Sequence, residues 1–254
     1  MISDDMEPGL CRHVDMVGFT RDFVETTGYS WDIIEPANAA LVAIREMRVT
    51  SSASEAFIRS RIAWRLEGYR VGMIYRVSEL AHGAVDAWMS GNVLVSALCS
   101  RSLLETVAAL LYARKKLIDS TKDNDADAAL QLVLKLVLGG KATELLGDEF
   151  VAVNVITLVK KMDKQHPGLW DHYQIVSEAC HPNGMGHAGM FAKWNFPERR
   201  IETYLGRDTF GPIFAIVGWP YSLLPQAEEV LRELPEVVGT MARRFPDLPD
   251  PQET

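Results

Sequence analysis

The chain has little cysteine. Cys11, Cys99 and Cys180 are its only three in 254 residues, too few and too scattered for a disulfide framework or a cysteine-rich zinc module, so a reducing cytoplasm is the expected compartment. It also lacks a basic surplus, with 26 Lys and Arg against 34 Asp and Glu and a net charge of −8. A broad DNA-binding or anionic-membrane face is therefore not expected, because such faces are built from clustered cations. Arg114-Lys115-Lys116 is the best local candidate for a basic rim. The opening Met-Ile-Ser-Asp-Asp-Met-Glu is acidic and does not read as a signal peptide. The longest uncharged run, 209–227, contains Pro212, Pro220 and Pro225 together with Gly211 and Gly218. These would break backbone bonds that a lipid-exposed helix must keep, so the run reads as a buried, broken helix and no membrane partner is expected. No Walker-type phosphate loop, Gly-x-Ser-x-Gly elbow or His-Glu-x-x-His pair occurs.

What is present is a chain that is 48% hydrophobic and of a length suited to a single domain. Its periodicity predicts an all-α helical bundle with a long antiparallel helix hairpin and one short β-hairpin near 192–206. An N-terminal arm and short helix (1–50) precede a bundle core (51–190), and the hairpin and C-terminal helices follow (191–254). Pro36 suggests a helix start and a helix over 36–47. Spacings of three and four predict a long helix over 53–89, a turn at Ser90-Gly91-Asn92, and a second helix over 93–118. The polar stretch 119–127 reads as a helix-capping loop, leading into helices over 128–138, 149–164 and 169–180 and, at the end, about 211–224 and 226–244. The six tryptophans read as core and lid residues. Gly184-Met185-Gly186-His187-Ala188-Gly189 matches Gly-x-Gly-x-x-Gly by letter, but it follows a helix end rather than a strand and reads as a turn.

Chemistry concentrates in two segments. In 93–113, 15 of 21 residues are apolar, yet Arg101 and Glu105 lie among them with Ser102 beside them. Charges in a helix buried nearly all round must be satisfied by each other, by further polar groups or by a ligand. A buried ion pair that fixes helix register is the plain alternative to a site. The second segment, 173–187, holds Ser177, Glu178 and His181 within about one helical turn, then Asn183 and His187 in a glycine-rich turn. Brought together, His181 would serve as general base, Glu105 or Glu178 would orient it, and Arg101 would bind an anion or neutralise a carboxylate. Ser177 belongs to the same catalytic set, while Ser102, Asn183 and His187 would form a ligand-binding rim. Cys180 reads as a buried thiol, since adjacent helical residues cannot form the usual Cys–His pair.

Glu-x-x-His occurs at Glu79/His82 and at Glu178/His181, the spacing that di-iron bundles use. Glu46 is too distant, because Glu79 lies about 26 residues into a continuous helix, roughly 40 Å along. A divalent iron, manganese or zinc site would then use Glu79, His82, Glu105, Glu178 and His181.

Arg101-Ser102-Leu103-Leu104-Glu105 after the Ser90-Gly91-Asn92 turn, followed by Tyr-x-x-x-Ser-Glu-x-x-His-Pro-Asn over 173–183, resembles a loose group of bacterial all-helical proteins of uncharacterised activity. Those proteins are distantly similar to the HEPN superfamily, whose active members are RNA-cleaving toxins and defence nucleases. The resemblance covers roughly 75–190. It implies a helical bundle and a defence- or stress-related nuclease or hydrolase with RNA as partner. A metal-dependent bundle enzyme and a non-catalytic interaction or structural module are the two other classes, and self-association into a homo-oligomer is open.

Overall fold

The computed structural model describes residues 18–47, 59–139, 153–203 and 213–247. Among them are nine α-helices and one two-stranded antiparallel sheet, the helical bundle with a small hairpin that the periodicity predicts. The helices are α1 (Arg21–Thr26), α2 (Trp31–Glu46), α3 (Arg61–Met89), α4 (Val93–Asp123), α5 (Ala126–Leu138), α6 (Val155–Asp163), α7 (Leu169–Cys180), α8 (Ala215–Tyr221) and α9 (Leu224–Arg244). Strands β1 (Ala192–Asn195) and β2 (Arg200–Thr203) lie between α7 and α8, paired from Ala192 with Thr203 to Asn195 with Arg200.

The long hairpin is α3 and α4. Ser60 caps α3 by accepting from the Ala63 N–H at 3.3 Å, and Gly91, at φ 84°, makes the turn that lets the chain reverse. Asn92 then caps α4 by accepting from the Val95 N–H at 3.3 Å. The Ser96 hydroxyl reaches back across the hairpin to the Ala84 carbonyl at 2.7 Å. α3 runs unbroken through Gly68 and Gly72. The apolar composition of α4 follows from its position: α3, α5, α6, α7, α8 and α9 all pack against it, although Val95 and Leu98 near its start stay exposed. By length and a mean hydropathy of 1.6 this helix alone, among the described residues, passes for a membrane span, but 56% of that apolar window is buried inside the bundle.

Several boundaries differ from expectation, each for a local reason. α2 begins at Trp31, not at Pro36, which lies inside it. Extending the helix backward brings Ile34 onto the buried stripe with Ala37, Leu41 and Ile44, at the cost of the bond that proline cannot donate. The first turn of α3 is at Arg61 rather than 53, and 48–58 lie outside the described residues. α4 does not stop at 118 but continues to Asp123, where Asn124 adopts the left-handed φ of 53° that ends a helix. Ser120 and Thr121 in this stretch turn their hydroxyls onto the Lys116 and Leu117 carbonyls, so the polar run is compatible with helix. Asp125 then caps α5 through the Ala128 N–H at 2.9 Å, which is the capping role expected of the loop. α6 begins at Val155 after the Asn154 cap, and 149–152 of the predicted helix lie outside the described residues, as do Tyr204 and Leu205 of the predicted second strand. α7 has the predicted ends, 169–180. The penultimate helix is shorter than expected, Ala215–Tyr221.

The buried side chains of all nine helices form one cluster. At one end Phe214 meets Phe19, Trp88 and Tyr29 edge to face, with centroids 5.1, 5.3 and 5.5 Å away. Asn38 ties this end together, accepting from the Phe19 N–H at 3.2 Å and the Tyr221 hydroxyl at 2.8 Å. Trp194, by contrast, is exposed on the hairpin, not a core residue.

Candidate functional site

α4 crosses α7 so that Arg101 and Glu105 meet Tyr173. The Tyr173 hydroxyl donates to Glu105 Oε1 at 2.8 Å and accepts from Arg101 Nη2 at 3.3 Å, while Arg101 Nε donates to the same Glu105 oxygen at 3.1 Å. The three groups close a ring of hydrogen bonds between two helices, with Glu105 and Tyr173 68 residues apart in sequence. The guanidinium also lies 5.6 Å from the Tyr173 ring centroid, and Trp170 stacks on that ring at 5.7 Å. The Arg101 and Glu105 side chains keep 29% and 23% of their exposure, so the pair is half-buried rather than sealed. Burial weakens the Arg101 proton, but the bonds from Tyr173 and Glu105 outweigh it and hold the guanidinium above its ordinary pKa.

One turn along α7, the Ser177 Oγ is buried with no hydrogen-bond partner among the described residues. Beyond it Cys180 faces the same cluster: burial raises its thiol, Arg101 opposes that, and Glu105 and Cys99 add to it. Both thiols are free, and burial pushes Cys99 up as well, which keeps them protonated and unreactive near neutrality.

His181 ends α7 in an extended conformation and is exposed. It leads into a single π-helical turn, Gly184–Gly189, organised by Asn183. The Asn183 Oδ1 accepts from the Met185 and Gly186 N–H groups, both at 3.1 Å, and its Nδ2 donates to Glu178. The Asn183 carbonyl is in hydrogen-bond contact with His187 Nδ1, so Nδ1 donates and Nε2 is the nitrogen left to exchange a proton. Gly186 must be glycine, since a Cβ there would sit 1.8 Å from the His181 carbonyl oxygen.

The structure thus brings Arg101 and Glu105 to Tyr173, with Ser177 and Cys180 on the adjoining turns of α7. Glu178 is exposed and engaged with Asn183 rather than with Glu105, and His181 and His187 are exposed around the turn. Ser102 is half-buried, its carbonyl accepting from the Thr106 hydroxyl at 2.6 Å. Arg114, placed on a basic rim by the sequence, is held by Glu233 at 2.9 Å, leaving Lys115 and Lys116 exposed.

The residues nominated for metal are not gathered. Glu79 is exposed on α3, and His82 Nε2 pairs with Asp86 at 3.0 Å. Among the described residues no three His, Cys, Asp or Glu side chains stand close enough to hold a metal ion. Tyr173 is the member of the cluster to which sequence reasoning gave no role. Its spacing of four before Ser177 was the available signal.

No family model matches the chain, and neither the curated proteins nor the solved structures contain a match.

Proposed function

We propose that the chain is a HEPN-like, RNA-directed helical protein whose reacting groups are the exposed His181 and His187 of the Asn183 turn. The observation that carries this reading is that the two motifs behind the resemblance meet directly, through Arg101, Glu105 and Tyr173. The usual arginine shortly before the histidine is missing, as no Arg lies in the ten residues ahead of His181. An arginine comes instead from α4, where Arg101 and Glu105 act as positioning residues that fix α7 and hence the turn. In this reading His181 takes the proton of an RNA 2′-hydroxyl as that oxygen attacks the adjacent phosphorus. The bond to the 5′-oxygen breaks, that oxygen leaves with the Nε2 proton of His187 in its imidazolium form, and a 2′,3′-cyclic phosphate remains. Trp194 and Phe196, exposed and stacked at 6.2 Å on the neighbouring hairpin, give unpaired bases a surface to stack on.

The test is cleavage of a single-stranded RNA by the chain. His181→Ala and His187→Ala are each expected to slow it about a hundredfold or more, as loss of a general acid or base does, with helicity and melting temperature unchanged. Equal rates in the variants would overturn the assignment. A second reading is favoured by one observation, namely that Arg101 and Glu105 are already satisfied by each other and Tyr173. They would then be a structural lock in a non-catalytic interaction module, and Arg101→Ala would cost stability with no cleavage to lose.

A further inference from the structure

On the other side of Glu105 lies a cleft of about 410 Å³ between α3, α4, α5 and α6, within the size range of small-molecule sites. Its inner wall is apolar, including Met73 and Leu158, which are 9% and 4% exposed. Its rim carries two exposed cations, Arg76 from α3 and Lys135 from α5. Several arginines of the bundle grip acids: Arg70 holds Glu67, Arg114 holds Glu233 and Arg232 holds Glu228. Among the described residues Arg76 instead meets the neutral Thr106 hydroxyl, at 3.0 Å, and neither Arg76 nor Lys135 meets a carboxylate. The acid among the described lining residues, Glu105, is neutralised by Arg101, so the uncompensated charge of that described lining is positive. Among the described residues the Tyr69 hydroxyl at the wall is buried with no hydrogen-bond partner, a cost that a bound polar group or water would relieve.

We infer that this cleft binds a small amphiphilic anion, its carboxylate or phosphate head between Arg76 and Lys135 and its apolar body against Met73 and Leu158. The free charge argues against a cation, and the apolar inner wall argues against a simple inorganic ion, which would have nothing to place there. Because Glu105 belongs to both the cleft and the Tyr173 ring, the occupant would sit one side chain from the contact that holds α7.

The test is isothermal titration of the whole chain with decanoate, decyl phosphate, decanol and decylammonium, each below its micelle concentration. One-site binding is expected for the anions, with the tighter of the two naming the head group, and decanol and decylammonium at least about tenfold weaker. Arg76→Gln and Lys135→Gln should each weaken the anion about tenfold, and Ala109→Leu, which fills the cleft while leaving its charge, should abolish binding. Circular dichroism and melting temperature check that each variant is folded. The absence of saturable anion binding, equal affinity for decanol, or full affinity in the folded charge variants would each overturn the inference. No RNA enters the measurement, so it stands or falls apart from the nuclease reading.

Discussion

Tyr173 spans three environments at once: its ring packs on Trp170, its face meets a guanidinium, and its hydroxyl both donates to Glu105 and accepts from Arg101. Tyr173→Phe keeps the packing and removes only the hydroxyl, leaving Glu105 short of a donor. The expected loss is about 1–3 kcal/mol by urea unfolding, with helicity intact; a loss near zero would mean the ring of bonds does not hold α7. His172, on the same helix, lies with its ring centroid 4.8 Å from that of Trp219. Burial holds its pKa below the ordinary 6.5, opposed by a backbone bond to Ala215. The folded state thus resists protonation while the unfolded chain accepts it, so the stability His172 contributes is full above about pH 6.5 and is lost as pH falls toward its folded value. Unfolding free energies followed from about pH 8 to pH 5 should decline, and His172→Gln should flatten that decline. At this scale the sequence made Arg101 and Glu105 visible because charges stand out in an apolar helix. It concealed Tyr173, since an aromatic on an amphipathic helix looks the same whether it fills a core or carries a hydrogen-bond network.

The π-helical turn over Gly184–Gly189 is the element on which the proposed chemistry depends. Its glycines are not equivalent: a Cβ at Gly186 would collide with the His181 carbonyl oxygen, whereas at Gly184 nothing lies within 4 Å. Gly186→Ala should therefore displace His181, increase amide exchange over the turn and abolish RNA cleavage, while Gly184→Ala leaves all three unchanged. Equal behaviour of the two variants would contradict the role given to the turn. That 184–189 was a turn could be read from the helix end before it. That Asn183 would organise it through contacts with Glu178, Met185, Gly186 and His187 could not, because those depend on dihedral angles that residue identity does not fix. Long elements were legible for the opposite reason. α7 has its predicted ends because Gly168 and Pro182 bracket a clear period, whereas the ends of α2 and α4 moved once tertiary packing made helix profitable across Pro36 and the Asp119 run.

Across the whole molecule, α4 is the axis on which both proposed sites are hung. One side presents Arg101 and Glu105 to α7, and another presents Glu105, Thr106 and Ala109 to the cleft. Its apolar composition announced a central helix, and the hairpin with α3 followed from the Ser90-Gly91-Asn92 turn. Which helices would surround it, and that Arg76 and Lys135 would line one cleft, depended on contacts distant in sequence and left no local pattern. In the proposed function this frame holds two exposed histidines for RNA cleavage. The most direct test of that function is mass-spectrometric identification of the ends produced from a short single-stranded RNA by the wild-type chain and by His181→Ala. The wild type is expected to leave 2′,3′-cyclic phosphate ends and the folded variant intact RNA; intact RNA from both, or the same ends from both, would rule out the two-histidine mechanism.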